Sequence, residues 1–157
     1  MKRVLIALDF DPSAERVADT GYKLATSMNA EIILLHVIAD AAYYSSTTYS
    51  PIMGFTGFED NIIDTTVLPL QLEKESERFL EQTKKHLGED SIKILVLDGD
   101  FVEVILNTAQ EHQADIIVMG THSRRGLDKL LMGNLAEKVL NRSTIPLLII
   151  PNIEDKK

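Results

Sequence analysis

At 157 residues the chain has the length of one domain with a single substantial core, and 45% hydrophobic with 25% charged residues is ordinary for a globular protein. A formal net charge of −8 argues against nucleic acid as a partner, because phosphate backbones reward a basic face. No apolar run is long enough to cross a bilayer, and the lack of cysteine removes disulfides, thiolate chemistry and thiolate metal sites, a pattern that fits a cytoplasmic setting. The opening "MKRVLIALDFD" turns acidic too soon for a signal peptide.

In chain order, "RVLIALD" (3–9) is a branched apolar run of the kind expected from a strand covered on both faces. The cluster "DFDPS" follows, with Asp11 placed to cap a helix that has Pro12 at its first position. That helix puts Ala14, Val17, Ala18, Gly21, Leu24, Ala25 and Met28 on one face. A second strand, "EIILLHVI" (31–38), precedes an aperiodic stretch over 39–69, which reads as a long loop. The next helix carries Leu72, Phe79, Leu80, Thr83 and Leu87 inward and ends at Gly88. Strand 92–98, a helix over 100–113 with Val104, Ile105 and Ala109 inward, strand 115–120, helix 133–143 and strand 145–151 complete the chain. Alternating strand and helix predicts an α/β fold, a parallel sheet with helices on both faces. The helix-to-strand joints "NAEII" (29–33) and "QADII" (113–117) resemble each other, as two helix exits before buried strands would require without any internal repeat.

Ligands of such sheets sit beyond the carboxyl ends of the strands, where the strand order reverses. The richest of these ends is "GTHSRRGLDKLLMGN" (120–134). Gly120 allows close backbone approach, Gly133 opens a helix whose free N–H groups favour an anion, and Thr121, His122, Ser123, Arg124, Arg125 and Lys129 supply donors between them. Two glycines thirteen apart are also what two ordinary turns beside a solvated Arg pair would contain, and spacing alone favours that reading.

These residues resemble those of the universal stress protein family, single-domain bacterial type, and the resemblance runs from residue 2 to 151. Its nucleotide-binding members carry G-x2-G-x9-G-[S/T] after the fourth strand. Gly120 matches the first glycine, Ser123 replaces the second, and Gly133 with Asn134 stands for the closing pair. "VLIALDF" with Asp9, and the terminal "IPLLIIP", are similar to the family as well. The resemblance implies a five-stranded parallel sheet in the order 3-2-1-4-5, Rossmann-like and close to the adenine nucleotide alpha hydrolases. Residues 1–152 would be the domain and 153–157 a short charged tail. It implies ATP or AMP as ligand, with Mg2+ held through the phosphates. Ala7 and Asp9 would border adenine and ribose, Val37 and Met119 would pack at the base, and Gly120, His122, Ser123, Arg124, Gly133, Asn134 and Leu135 would wrap the phosphates. Ser123 puts a side chain where the backbone should approach the phosphates, although its hydroxyl can donate in return.

No nucleophile–base–orienter set is evident, so catalytic residues are not assigned and at most slow ATP hydrolysis is expected. His36, His86, His112 and His122 show no metal-ligand spacing, and no metal ligand is assigned. His36 reads as a satisfied near-core residue, while His86 and His112 lie near helix ends. The stretch "AAYYSSTTYSPIMGFTGF" holds three Tyr and two Phe, which would cover the adenine pocket, pack at a subunit boundary, or anchor the loop. The last strand would be an apolar edge, and the resemblance implies a homodimer through 145–151. The expected role is regulatory, in stress response, with a dimeric protein-interaction module that binds no nucleotide as the alternative.

Overall fold

The computed structural model describes residues 1–10, 12–38, 68–121 and 134–151. Nine elements follow in the order β1 (Arg3–Ala7), α1 (Ala14–Met28), β2 (Glu31–Ile38), α2 (Leu68–Leu87), β3 (Lys93–Asp98), α3 (Phe101–Glu111), β4 (Ile116–Gly120), α4 (Asn134–Arg142) and β5 (Leu147–Ile150). The strands form one sheet in the order β3-β2-β1-β4-β5, and each neighbouring pair is parallel. The expected α/β architecture and strand order are therefore those observed.

The burial of each strand follows from its place in that order. β1 is central, and Val4, Leu5 and Ile6 are fully buried; β2 keeps six consecutive residues buried, Ile32 to Val37. The edge strands β3 and β5 are only partly covered. Two apolar layers flank the sheet. One gathers Val4, Ile6, Ile32 and Leu34 with Ala14, Val17, Ala18 and Ala25 of α1 and Leu80 and Leu87 of α2. The other gathers Leu5, Ile33, Leu35 and Ile117 with Val102, Ile105 and Ala109 of α3 and Ala136 and Val139 of α4. The period-2 alternation of strand side chains produces this division, odd and even positions serving opposite helix pairs.

α1 lies unusually close to the sheet at Gly21. A Cβ there would stand 2.6 Å from Ile6 Cδ1 and 3.3 Å from Val118 Cγ1, so any side chain at 21 would force Ile6 to shift. Gly88 ends α2 as expected, with φ +73° and its N–H donating to the Lys84 carbonyl at 3.0 Å.

Several boundaries differ from the sequence reading. β1 ends at Ala7, although the Leu8 N–H still donates to the Leu35 carbonyl (2.8 Å). α1 begins at Ala14, not at Pro12: Ser13 takes the N-cap position and its carbonyl accepts the Val17 N–H at 3.1 Å. Asp11 lies outside the described residues. The expected loop over 39–69 overlaps α2, which already starts at Leu68; the rest of that stretch, with its Tyr and Phe residues, is outside the described residues, as is the tail 153–157. α3 is shorter than 100–113 because Asp100 is its cap, its carboxylate accepting the Glu103 N–H at 3.0 Å. The strand expected over 145–151 is confined to 147–150.

Candidate functional site

The strand order reverses between β1 and β4. From β1 the chain proceeds outward through β2 to β3, then returns to β4 on the other flank of β1. Val4, Leu5 and Ile6 pair with Ile116, Ile117 and Val118, so the next step of the register sets Ala7 beside Met119 at the carboxyl ends. The helices that follow the two strands pack on opposite faces, α1 in one apolar layer and α4 in the other, and parallel α/β sheets form their ligand crevice between strand ends of this kind.

The residues singled out from the sequence are placed as follows. Ala7 ends β1 and Asp9 follows two positions later; both are half-buried. Val37 is buried in β2 and Met119 in β4. Ala7, Val37, Met119 and Leu135 all contribute to the apolar layer shared with α3 and α4, so the structure brings these four to one face of the sheet. Gly120 is the last residue of β4, and Asn134 the first of α4. His122, Ser123, Arg124 and Gly133 lie outside the described residues.

Gly120 has a packing reason of its own. A Cβ on it would stand 3.2 Å from Val17 Cγ2 of α1, and its φ is not in the left-handed region. A branched residue at 120 would therefore push on α1 before it affected any ligand. The Thr121 N–H, one of the donors noted in the sequence, is already given to the Ile150 carbonyl at 3.0 Å.

Behind the crevice, on the face of α1 and α2, His36 is 5% exposed. Its Nδ1 lies 2.9 Å from the Leu8 carbonyl, and since that oxygen can only accept, Nδ1 carries the proton. The ring packs against Phe10 (4.3 Å between centroids) and meets Phe79 edge-on at 6.1 Å. Burial lowers the imidazole pKa to about 4, against the smaller opposing effect of the bond to Leu8. His36 thus anchors the backbone one residue before Asp9, in keeping with the satisfied near-core residue expected.

Two features escaped the sequence reading. Phe10 and Phe79, 69 residues apart, enclose His36, for which only the strand parity of 32, 34 and 36 was a signal. His86 meets Glu15 and Asp19 across the α1–α2 contact, a proximity that no spacing along the chain betrays. A hollow of about 300 Å³ lined by Asp100, Val102, Lys138, Asn141 and Arg142 contains none of the residues selected for nucleotide binding.

The family model described as "Universal stress protein family" matches residues 1–151. Universal stress protein MJ0577 of Methanocaldococcus jannaschii is 28% identical over 152 residues, covering 95% of this chain and 94% of the relative. Its solved structure superposes with a TM-score of 0.74 at 26% identity and covers 98% of both chains. Universal stress protein A homolog 1 of Coxiella burnetii is 30% identical, covering 95% of each chain. A universal stress protein solved in complex with cAMP shares the fold, with a TM-score of 0.61 at 21% identity over 95% of both chains.

Proposed function

The chain belongs to the universal stress protein family, and we propose that it is a cytoplasmic stress-response regulator that binds ATP or AMP in the crevice between β1 and β4, with little or no hydrolysis. One observation supports this reading: the reversal of strand order sets the end of β1, two residues before Asp9, beside the end of β4 at Gly120, after which the donor-rich stretch follows in the sequence. The Asp9 carboxylate would accept from a ribose hydroxyl or the base. Ala7, Val37 and Met119 would border adenine, while Gly120, His122, Ser123, Arg124, Gly133, Asn134 and Leu135 would hold the phosphates, with Mg2+ bound through them. The cAMP complex of a relative supports an adenine nucleotide as the ligand class. Two copies would pair through residues 145–151.

A second reading has a specific observation behind it. A Cβ at 120 would crowd Val17 at 3.2 Å, which favours glycine there without any ligand. A dimeric interaction module that binds no nucleotide would keep that glycine, and would tolerate Ser123 and Asn134 in place of the motif residues.

Calorimetric titration with ATP, AMP and adenosine separates the two. The nucleotide reading expects one site per chain. Asp9→Asn should weaken all three ligands about tenfold, the loss of a charged hydrogen bond, whereas Arg124→Gln should weaken ATP and spare adenosine. Absence of heat from wild-type protein at millimolar ATP would leave the interaction module standing. Gly120→Val is unsuitable here, because its effect on α1 packing would be read as lost binding.

A further inference from the structure

The first two turns of α1 and the last turn of α2 meet at three side chains with metal-ligand chemistry. Glu15 and Asp19 are one helical turn apart on α1, and His86 of α2 faces both. Its Nε2 lies 3.0 Å from Asp19 Oδ1 and 3.5 Å from Glu15 Oε1, and the three ligand atoms lie within 4.8 Å of one another.

Like charges at i and i+4 on a helix repel, and helices commonly answer with a lysine or arginine. Here none does: among the described residues, the ion-pair partner of both carboxylates is His86. Two carboxylates thus share one imidazole. We propose that Glu15, Asp19 and His86 form a binding site for a borderline divalent transition metal of the zinc type, which fastens α1 to α2.

The ligand set decides the class of metal. One imidazole nitrogen with two carboxylate oxygens suits zinc and its first-row neighbours, whereas magnesium and calcium prefer oxygen throughout. Atoms bound to tetrahedral zinc at about 2.0–2.1 Å stand roughly 3.4 Å apart. The separations of 3.0 and 3.5 Å are close to that, the first being a hydrogen bond that a bound ion would replace, and the two carboxylate oxygens, within 4.8 Å of each other, would draw together around it. All three side chains are open to solvent, which leaves the fourth position for water. This site stands apart from the nucleotide crevice and does not rest on it.

Titration of the full chain with zinc chloride, followed by calorimetry and by thermal melting, tests the proposal. The expected result is one zinc per chain, a binding constant unaffected by excess magnesium, and a midpoint raised by about 8 °C at a hundredfold excess over Kd. His86→Ala should weaken zinc at least tenfold, and Asp19→Asn and Glu15→Gln should each weaken it measurably. All three variants should melt close to wild type without metal, since the side chains are at the surface. Zinc held equally well by His86→Ala would place the ion elsewhere, at His122 for instance, and overturn the site. Loss in His86→Ala with none in either carboxylate variant would reduce it to a lone imidazole and overturn it equally, as would no binding at 100 µM zinc.

Discussion

A neutral imidazole enclosed by Phe10 and Phe79 keeps its place only while it does not need to be charged. His36 is in that position, with a pKa of about 4 when folded against 6.5 when exposed. Between those values the unfolded chain binds the proton more tightly, so stability is fully present above about pH 6.5 and is lost as pH falls toward 4. From pH 7 to pH 5 the loss comes to about 2 kcal/mol. His36→Asn keeps a donor at the δ position for the Leu8 carbonyl but cannot titrate. It should be less stable than wild type at pH 7, by about 2–3 kcal/mol for the lost packing, yet show a shallower decline toward pH 5. Urea unfolding of both proteins at the two pH values measures the difference, and parallel declines would assign the acid sensitivity to other groups. The Leu8 carbonyl that His36 holds lies immediately before Asp9, so the same comparison can be repeated with ATP to learn whether the strand exit must be fixed for binding.

The two helix-to-strand joints that look alike in sequence are one structure built twice. Asn29 and Gln113 both adopt the left-handed conformation, with φ of 53° and 52°. The next residue in each, Ala30 or Ala114, donates its N–H back to the carbonyl five positions earlier, Ala25 or Ala109, at 2.9 and 2.8 Å. The acid that follows then serves Arg3: the Glu31 carboxylate accepts from the guanidinium at 2.8 Å, and the Asp115 carboxylate accepts the Arg3 N–H at 2.7 Å. Arg3 also donates to the His112 carbonyl at 3.0 Å, so the cation at the end of α3 is Arg3. Asn tolerates φ > 0, but Gln has no such ease. Gln113→Gly should therefore stabilise the protein by about 0.5–1 kcal/mol, with an unchanged denaturant slope, while Asn29→Gly should gain less. A lowered urea midpoint for Gln113→Gly would mean that the side chain holds something the joint needs. Element positions were legible because β1 and β2 are compact apolar runs and the α1 face follows a helical apolar period. The start of α1 was not, because Pro12 and Asp11 form a stronger helix-opening pattern than Ser13, where the cap falls.

For the whole molecule, alternation of strands and helices announces a parallel sheet, but no residue pattern states the order in which strands lie. That order came with the family resemblance, and the crevice between β1 and β4 depends on it. The half of the candidate site at strand ends was legible, since Asp9 and Gly120 close apolar runs. The nearness of Val17 to any side chain placed at 120 was not, since it joins residues far apart in the chain. The same limit applies to assembly. The sheet has two edges, β3 and β5, and the sequence reading drew attention to β5 for its apolar run between prolines. The observed ladder shows which of its backbone groups face away from β4 and, among the described residues, stand at the sheet edge. The carbonyls of Pro146 and Ile150 turn toward β4, accepting from Ile117 at 2.9 Å and from Thr121 at 3.0 Å. By the two-residue repeat of a strand, Leu147 and Ile149 direct their N–H and carbonyl groups to the open edge. An antiparallel partner would use those groups, so Ile149→Pro should remove an outward donor without breaking the ladder to β4. Light scattering after size-exclusion chromatography should find wild type at twice the chain mass and Ile149→Pro at the chain mass, with the variant still folded by circular dichroism. A variant that stays dimeric, with the same dissociation midpoint on dilution, would move the subunit contact away from β5.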